Sequence, residues 1–142
     1  MIAYLDSSTL VKMYVDEVGR PAVRTLVATA QAVAVWAVAY PEVRAALARR
    51  MRDGTLAPER LPVITRQLDA GWQRLAVVAA SGGMLRLAGD LVEDHALRGF
   101  DAVHLACAIV LRDRGVAPIT FACWDTRLLM AARAEGFDVL GA

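Results

Sequence analysis

A chain of 142 residues has room for one core of ordinary size, a single domain spanning 1–142, and excludes a multidomain machine. Sixteen basic side chains against fifteen acidic ones leave a formal charge of +1, so no charge excess marks out a polyanion or a membrane surface, and any nucleic-acid contact must be a local patch. Hydrophobic residues at 57%, with 27 alanines, exclude a disordered tail and predict a helix-rich packed globule.

Residues 2–5 form a short apolar run halted by Asp6-Ser7-Ser8, and 9–15 resumes with Leu10, Met13 and Tyr14 at helical spacing, which reads as strand, cap and helix. The spacing predicts a helix over 21–30. Residues 33–36 have the β-branched and aromatic bias of a buried strand, and Pro41 suits the first turn of a helix running to about Arg52 and stopping near Gly54. Over 58–74, Leu61, Ile64, Leu68 and Trp72 make one apolar stripe, with Arg60, Arg66, Gln67 and Arg74 largely off it. A third strand is predicted at 75–78. Ser81 then caps a helix through Leu97, Arg98-Gly99 turn the chain, and 100–114 is helical again. A fourth strand is predicted at 118–123. Trp124-Asp125-Thr126 cap a helix to about Glu135, Gly136 ends it, and 137–140 is a fifth strand.

Short continuous apolar strands alternating with helices predict an α/β fold: three layers, α/β/α, around a central parallel sheet of about five short strands covered on both faces. Cys107 and Cys123 have no CxxC spacing, and Cys107 is expected to pack as a small hydrophobe. The amino terminus lacks the charged and apolar regions of a secretory signal. The uncharged stretch 25–41 holds Thr29 and Gln31 and falls short of about 20 apolar residues. The expected setting is the cytoplasm, with no membrane partner.

In open parallel sheets the working site lies beyond the carboxyl ends of the strands. Asp6 ends the first strand and Asp125 the fourth, Glu42 lies in the first turn of the helix after the second strand, and Asp101 opens a helix. Each alone is readily a cap or a first-turn acid. Four acids converging on one sheet edge would repel each other, at about 3 kcal/mol per pair for a separation near 5 Å and an effective dielectric near 20, so a cation is expected between them. Carboxylate oxygens with few His or Cys nearby suit Mg²⁺ or Mn²⁺ better than zinc, and such an ion suits in-line displacement at a phosphodiester.

The residues also carry a family resemblance. Tyr4-Leu5-Asp6-Ser7-Ser8-Thr9-Leu10-Val11-Lys12, Glu42-Val43 before an Ala/Arg helix, Leu97-Arg98-Gly99-Phe100-Asp101-Ala102-Val103-His104-Leu105-Ala106, and Trp124-Asp125-Thr126-Arg127-Leu128 with Ala131-Ala132 and Gly136 resemble the PIN-domain nucleases, most of all the VapC-type toxins of toxin–antitoxin pairs. The resemblance spans nearly the whole chain and is most specific around Asp101. It implies a PIN-like fold and a metal-dependent ribonuclease in which Asp6, Glu42, Asp101 and Asp125 hold Mg²⁺ or Mn²⁺ and activate water, with Ser8 as the hydroxyl beside the first Asp. It further implies an RNA substrate, a cognate antitoxin protein and a homodimer. Two residues before the last Asp the family commonly has Thr or Ser; Cys123 stands there, a weaker hydrogen-bonding group.

Glu42 and Arg49, seven apart on one helix, share a face, which makes Arg49 a candidate substrate-binding residue; a solvated arginine is the alternative. Arg50, Arg52, Arg98 and Arg127 read equally as phosphate contacts or surface charges. His104 is read as helix framework, and Trp36, Trp72 and Trp124 as core or interface. A haloacid-dehalogenase-like phosphatase needs a second Asp where Ser8 stands, nucleotide-binding turns need glycines absent from Asp6-Ser7-Ser8-Thr9, and a receiver domain needs a late-strand lysine, whereas Lys12 is the sole lysine. A catalytically silent binding module and a housekeeping RNA-processing nuclease are the remaining alternatives; retention of all four acids argues against the first.

Overall fold

The computed structural model describes residues 1–115 and 117–142. Along the chain the elements are β1 (Ile2–Leu5), α1 (Ser7–Val11), α2 (Arg20–Thr29), β2 (Ala32–Trp36), α3 (Ala39–Arg52), α4 (Arg60–Trp72), β3 (Ala76–Val78), α5 (Gly82–His95), α6 (Gly99–Asp113), β4 (Ile119–Ala122), α7 (Thr126–Ala134) and β5 (Asp138–Leu140). The five strands form one parallel sheet in the order β3-β2-β1-β4-β5. Each expected element is present within two residues of its expected bounds, apart from the first helix.

That helix begins at Ser7 rather than at residue 9 and ends at Val11 rather than 15. Asp6 is its cap: its Oδ1 accepts from the Thr9 amide at 2.8 Å, which frees Ser7 and Ser8 to be helical. Past Val11 the ladder tightens, with the amides of Lys12, Met13 and Tyr14 bonding three residues back to Thr9, Leu10 and Val11.

Because side chains alternate along a strand, β1 feeds two cores. Ile2 and Tyr4 join Trp36, Phe121, Leu105 and Leu128 under α5, α6 and α7. Ala3 and Leu5 join Val35, Leu10, Val43, Leu47, Ile64 and Leu68 under α1, α3 and α4. Coverage on both faces holds for the central strands, with Ile2–Leu5 buried throughout. It does not hold at the edges: Ala76, Val77 and Asp138 are exposed, since β3 and β5 are three-residue strands that end the sheet.

The order of strands sets the position of the site. From β1 the chain builds outward through β2 to β3, then crosses back to place β4 and β5 on the other flank. The reversal opens a crevice at the carboxyl ends of β1 and β4, the ends followed by Asp6 and by Asp125.

Gly19 caps α2 at φ 91°, and a methyl group there would collide with the Trp124 ring at this crevice. Gly19→Ala is therefore expected to cost about 1–2 kcal/mol, read as a lower urea midpoint with an unchanged slope.

Candidate active site

Asp6, Glu42, Asp101 and Asp125 arrive from four separate elements: the caps of α1 and α7 and the first turns of α3 and α6. All four line a single cleft of about 540 Å³, together with Ser7, Ser8, Lys12, Glu17, Arg49, Arg50, Arg98, His104 and Trp124. The buried polar side chains among the described residues are Asp6, Thr9, Lys12 and His104, and every one of them stands at or beside this cleft. Interiors tolerate such groups only when they are satisfied or used, which singles out this end of the sheet.

Asp6 forms the floor, at 5% exposure. Ser8 Oγ donates to both its oxygens at 2.9 and 2.8 Å, and Ser8 Oγ in turn accepts from the Trp124 amide at 3.4 Å, tying α1 to the end of β4. Thr9 Oγ1 donates to the Ala122 carbonyl at 2.9 Å and completes that clamp. Burial pushes the Asp6 carboxyl above its usual range, and the nearby His104 ring with the Thr9 and Ser8 donors offsets only part of this. Among the described residues Asp6 has no ion-pair partner.

Glu42 is fixed from the opposite side. Ser7 Oγ donates to Glu42 Oε1 at 2.9 Å, and His104 Nε2 lies 3.2 Å from both atoms. With the hydroxyl proton committed to Glu42, Nε2 must carry a hydrogen, while Nδ1 faces the Tyr4 hydroxyl at 3.2 Å. Burial pushes the Glu42 carboxyl up, yet the His104 hydrogen bond and charge with the Ser7 hydrogen bond outweigh it, and the net direction is down. His104, 2% exposed, is thus framework and more: it bridges the core tyrosine to a carboxylate of the cleft. The reading of His104 as helix framework stands, and the contact with Glu42 is added to it. The position of His104 three residues after Asp101 on one helix turns both toward the same cleft, and that spacing was the available signal.

The cation expected between the acids is supplied, in part, by the protein. Arg98, the residue capping α6, places Nε 3.0 Å from Asp101 Oδ2 and Nη2 3.7 Å from Asp125 Oδ2. Its two carboxylate neighbours, Asp101 first, raise its pKa further. Among the described residues no three carboxylate, imidazole or thiol groups already stand close enough to grip one ion. The donor chemistry nonetheless fits a hard divalent ion. The four acids offer oxygen ligands only, one is buried without an ion-pair partner among the described residues, and two share the Arg98 guanidinium.

The remaining expected residues divide by location. Arg49 and Arg50 line the acid cleft; Arg127 lines an adjoining one and donates to the Ala96 carbonyl at 2.9 Å; Arg52 lines neither. Arg50 Nη2 and Lys12 Nζ both bond Glu17, at 2.6 and 3.1 Å, and Lys12 lies 4.8 Å above the Trp124 ring. Trp36 is buried and Trp72 packs edge-on against Tyr40, as expected of core or interface. Trp124 is instead a wall of the cleft, with Lys12 over its ring. Cys123 is buried with its thiol pushed up to about 12, chiefly by burial, and donates to the Asp125 carbonyl at 3.6 Å rather than to a carboxylate. Cys107 packs in the core against Met84, its thiol pushed up to about 11 by the same cause.

A parallel sheet with four acids at its switch point is the arrangement of a PIN domain, and the family model described as "PIN domain" matches residues 3–117; the chain belongs to this family. Within it, the chain is 37% identical over 138 residues to Ribonuclease VapC45 of Mycobacterium tuberculosis (strain CDC 1551 / Oshkosh), an alignment covering 97% of this chain and 94% of that one. The fold is shared with VapBC2 from Rickettsia felis, solved bound to a DNA fragment from their promoter, at a TM-score of 0.67 and 14% identity over 100% of this chain and 99% of that one. It is also shared with Mycobacterium tuberculosis VapC20, a Sarcin-Ricin loop cleaving toxin, at 0.66 and 17% over 95% of each.

Proposed function

We propose that this chain is a Mg²⁺- or Mn²⁺-dependent endoribonuclease and the toxin of a toxin–antitoxin pair, working in the cytoplasm as a homodimer under the control of a cognate antitoxin protein. The observation that carries this reading is the convergence of Asp6, Glu42, Asp101 and Asp125 on one cleft at the β1–β4 crevice. The likeness to a named VapC ribonuclease over nearly the full chain supports the substrate class and the toxin role. The VapBC2 assembly supports the antitoxin.

In this reading the four acids hold the ion. Bound there, it supplies charge against the phosphodiester and acidity to a water molecule. The chain's own residues do the positioning. Ser8 and Thr9 fix Asp6 at the floor, while Ser7 and His104 fix Glu42 at the side. Arg49 and Arg50 line the same cleft as the acids, and in this reading Arg49 meets a phosphate of an entering strand.

Purified protein freed of antitoxin is expected to cleave RNA with Mg²⁺ or Mn²⁺, to stop when EDTA is added, and to resume with excess Mn²⁺. Asp101→Asn is expected to lower the rate about 10²–10³-fold, the scale of losing one electrostatic stabiliser of developing charge. Cleavage that persists in EDTA, or an Asp101→Asn variant as fast as wild type, refutes the reading. Light scattering of the isolated chain reports the homodimer.

A further inference from the structure

A second cleft, of about 860 Å³, adjoins the acid cleft and shares Arg98, Asp101, Trp124 and Asp125 with it. Arg98 therefore stands on the ridge between the two. Its side chain is 79% exposed, and among the described residues Asp101 and Asp125 are its only hydrogen-bond or ion-pair partners. Its backbone is the cap of α6, so the long side chain can leave the carboxylates without disturbing the helix.

The two acids it bridges belong to the set assigned above to the ion. A hard divalent ion draws carboxylate oxygens to short distances and repels a neighbouring guanidinium, so both cations cannot hold Asp101 and Asp125 on equal terms. A guanidinium displaced from there remains on the ridge that a strand lying across the two clefts must pass, and its planar fork matches two oxygens of a phosphate.

We propose that Arg98 is a residue with two positions: counter-ion of Asp101 and Asp125 in the metal-free protein, and phosphate ligand of the RNA strand once the ion has taken those carboxylates. This rests on the four acids being the ion site. It requires Arg98 to act with opposite sign on two ligands, opposing the metal and favouring the RNA.

The test is calorimetric titration of Mn²⁺ into metal-free wild type and Arg98→Gln, paired with anisotropy of a fluorescein-labelled phosphorothioate RNA oligonucleotide over a salt series with Mn²⁺ present. Arg98→Gln is expected to bind Mn²⁺ about two- to fivefold more tightly, the range for removing an exposed ionic competitor. It is expected to bind the RNA more weakly, with a salt slope shallower by about 0.7, the loss of one contact to a single strand. Arg98→Lys keeps the charge without the fork and is expected to fall between the two. Wild type that takes up Mn²⁺ while Arg98→Gln binds it no more tightly, or an unchanged RNA slope, overturns the role of Arg98 alone. Absence of Mn²⁺ uptake by both proteins overturns the ion site, and this inference with it.

Discussion

Asp6→Asn is expected to lower RNA cleavage about 10²–10³-fold and, in metal-free buffer at pH 7, to raise the melting temperature by about 2–4 °C, the response of a domain near 150 residues to roughly 1 kcal/mol. Both effects come from one cause. The carboxylate sits at 5% exposure with only neutral donors and the nearby His104 ring around it, and burial raises its pKa. A carboxyl whose folded pKa exceeds its unfolded value favours the fold at low pH and loses that contribution as pH rises through the folded value. The advantage of the asparagine should therefore vanish below the ordinary carboxylate range and open as pH rises above it. Asparagine retains an oxygen for the Thr9 amide, so the cap of α1 survives. Mn²⁺ should invert the order: an ion bound only by folded wild type adds about 2.7 kcal/mol at a hundredfold excess over its Kd, and the variant gains little of this. Melting curves in EDTA and in Mn²⁺ decide the matter, since equal Mn²⁺ shifts for the two proteins would remove Asp6 from the ion site.

Much of this arrangement is legible along the chain because its signals are local. The apolar run before Asp6, the cap chemistry at Asp6, Ser81 and Asp125, and Pro41 in a first turn depend on neighbours within a helical turn, and each stands where the pattern puts it. The four acids are legible for the same reason: each caps a helix or lies in its first turn, with Asp6, Glu42 and Asp125 following a strand and Asp101 following α5, and the fold brings those helix starts to one cleft.

Contacts between distant elements were not legible. The pairing of Arg98 with Asp101 is local, three residues apart, but its reach to Asp125 joins the start of α6 to the start of α7 and has no local pattern. Glu17 takes Lys12 and Arg50 together because the α1–α2 connection passes α3. The first helix begins two residues before its apolar spacing suggests, because a serine pair after Asp reads as turn whereas the Asp6 cap makes Ser7 and Ser8 helical.

His104→Ala is expected to lose about 2–4 kcal/mol of stability and 10–100-fold in cleavage, and two further variants separate those effects. The ring lies edge-on to Trp36 at 5.6 Å and to Tyr4 at 6.1 Å, so truncation opens a cavity and strips the Tyr4 hydroxyl of a partner. His104→Phe restores the packing without the nitrogens, and His104→Gln restores a donor near Glu42 at the expense of packing. If the imidazole positions Glu42, the glutamine variant cleaves RNA better than the phenylalanine variant although it melts lower. A histidine serving only as framework gives the reverse ranking. Acid unfolding supplies a second readout. Glu42 is held below its usual pKa, so its contribution to stability is present above the ordinary carboxylate range and is lost as pH falls through the lowered folded value. Without the nitrogen that holds it down, Glu42 should take up its proton at higher pH, and the acid transition of His104→Phe, followed by circular dichroism, should begin at higher pH than that of wild type.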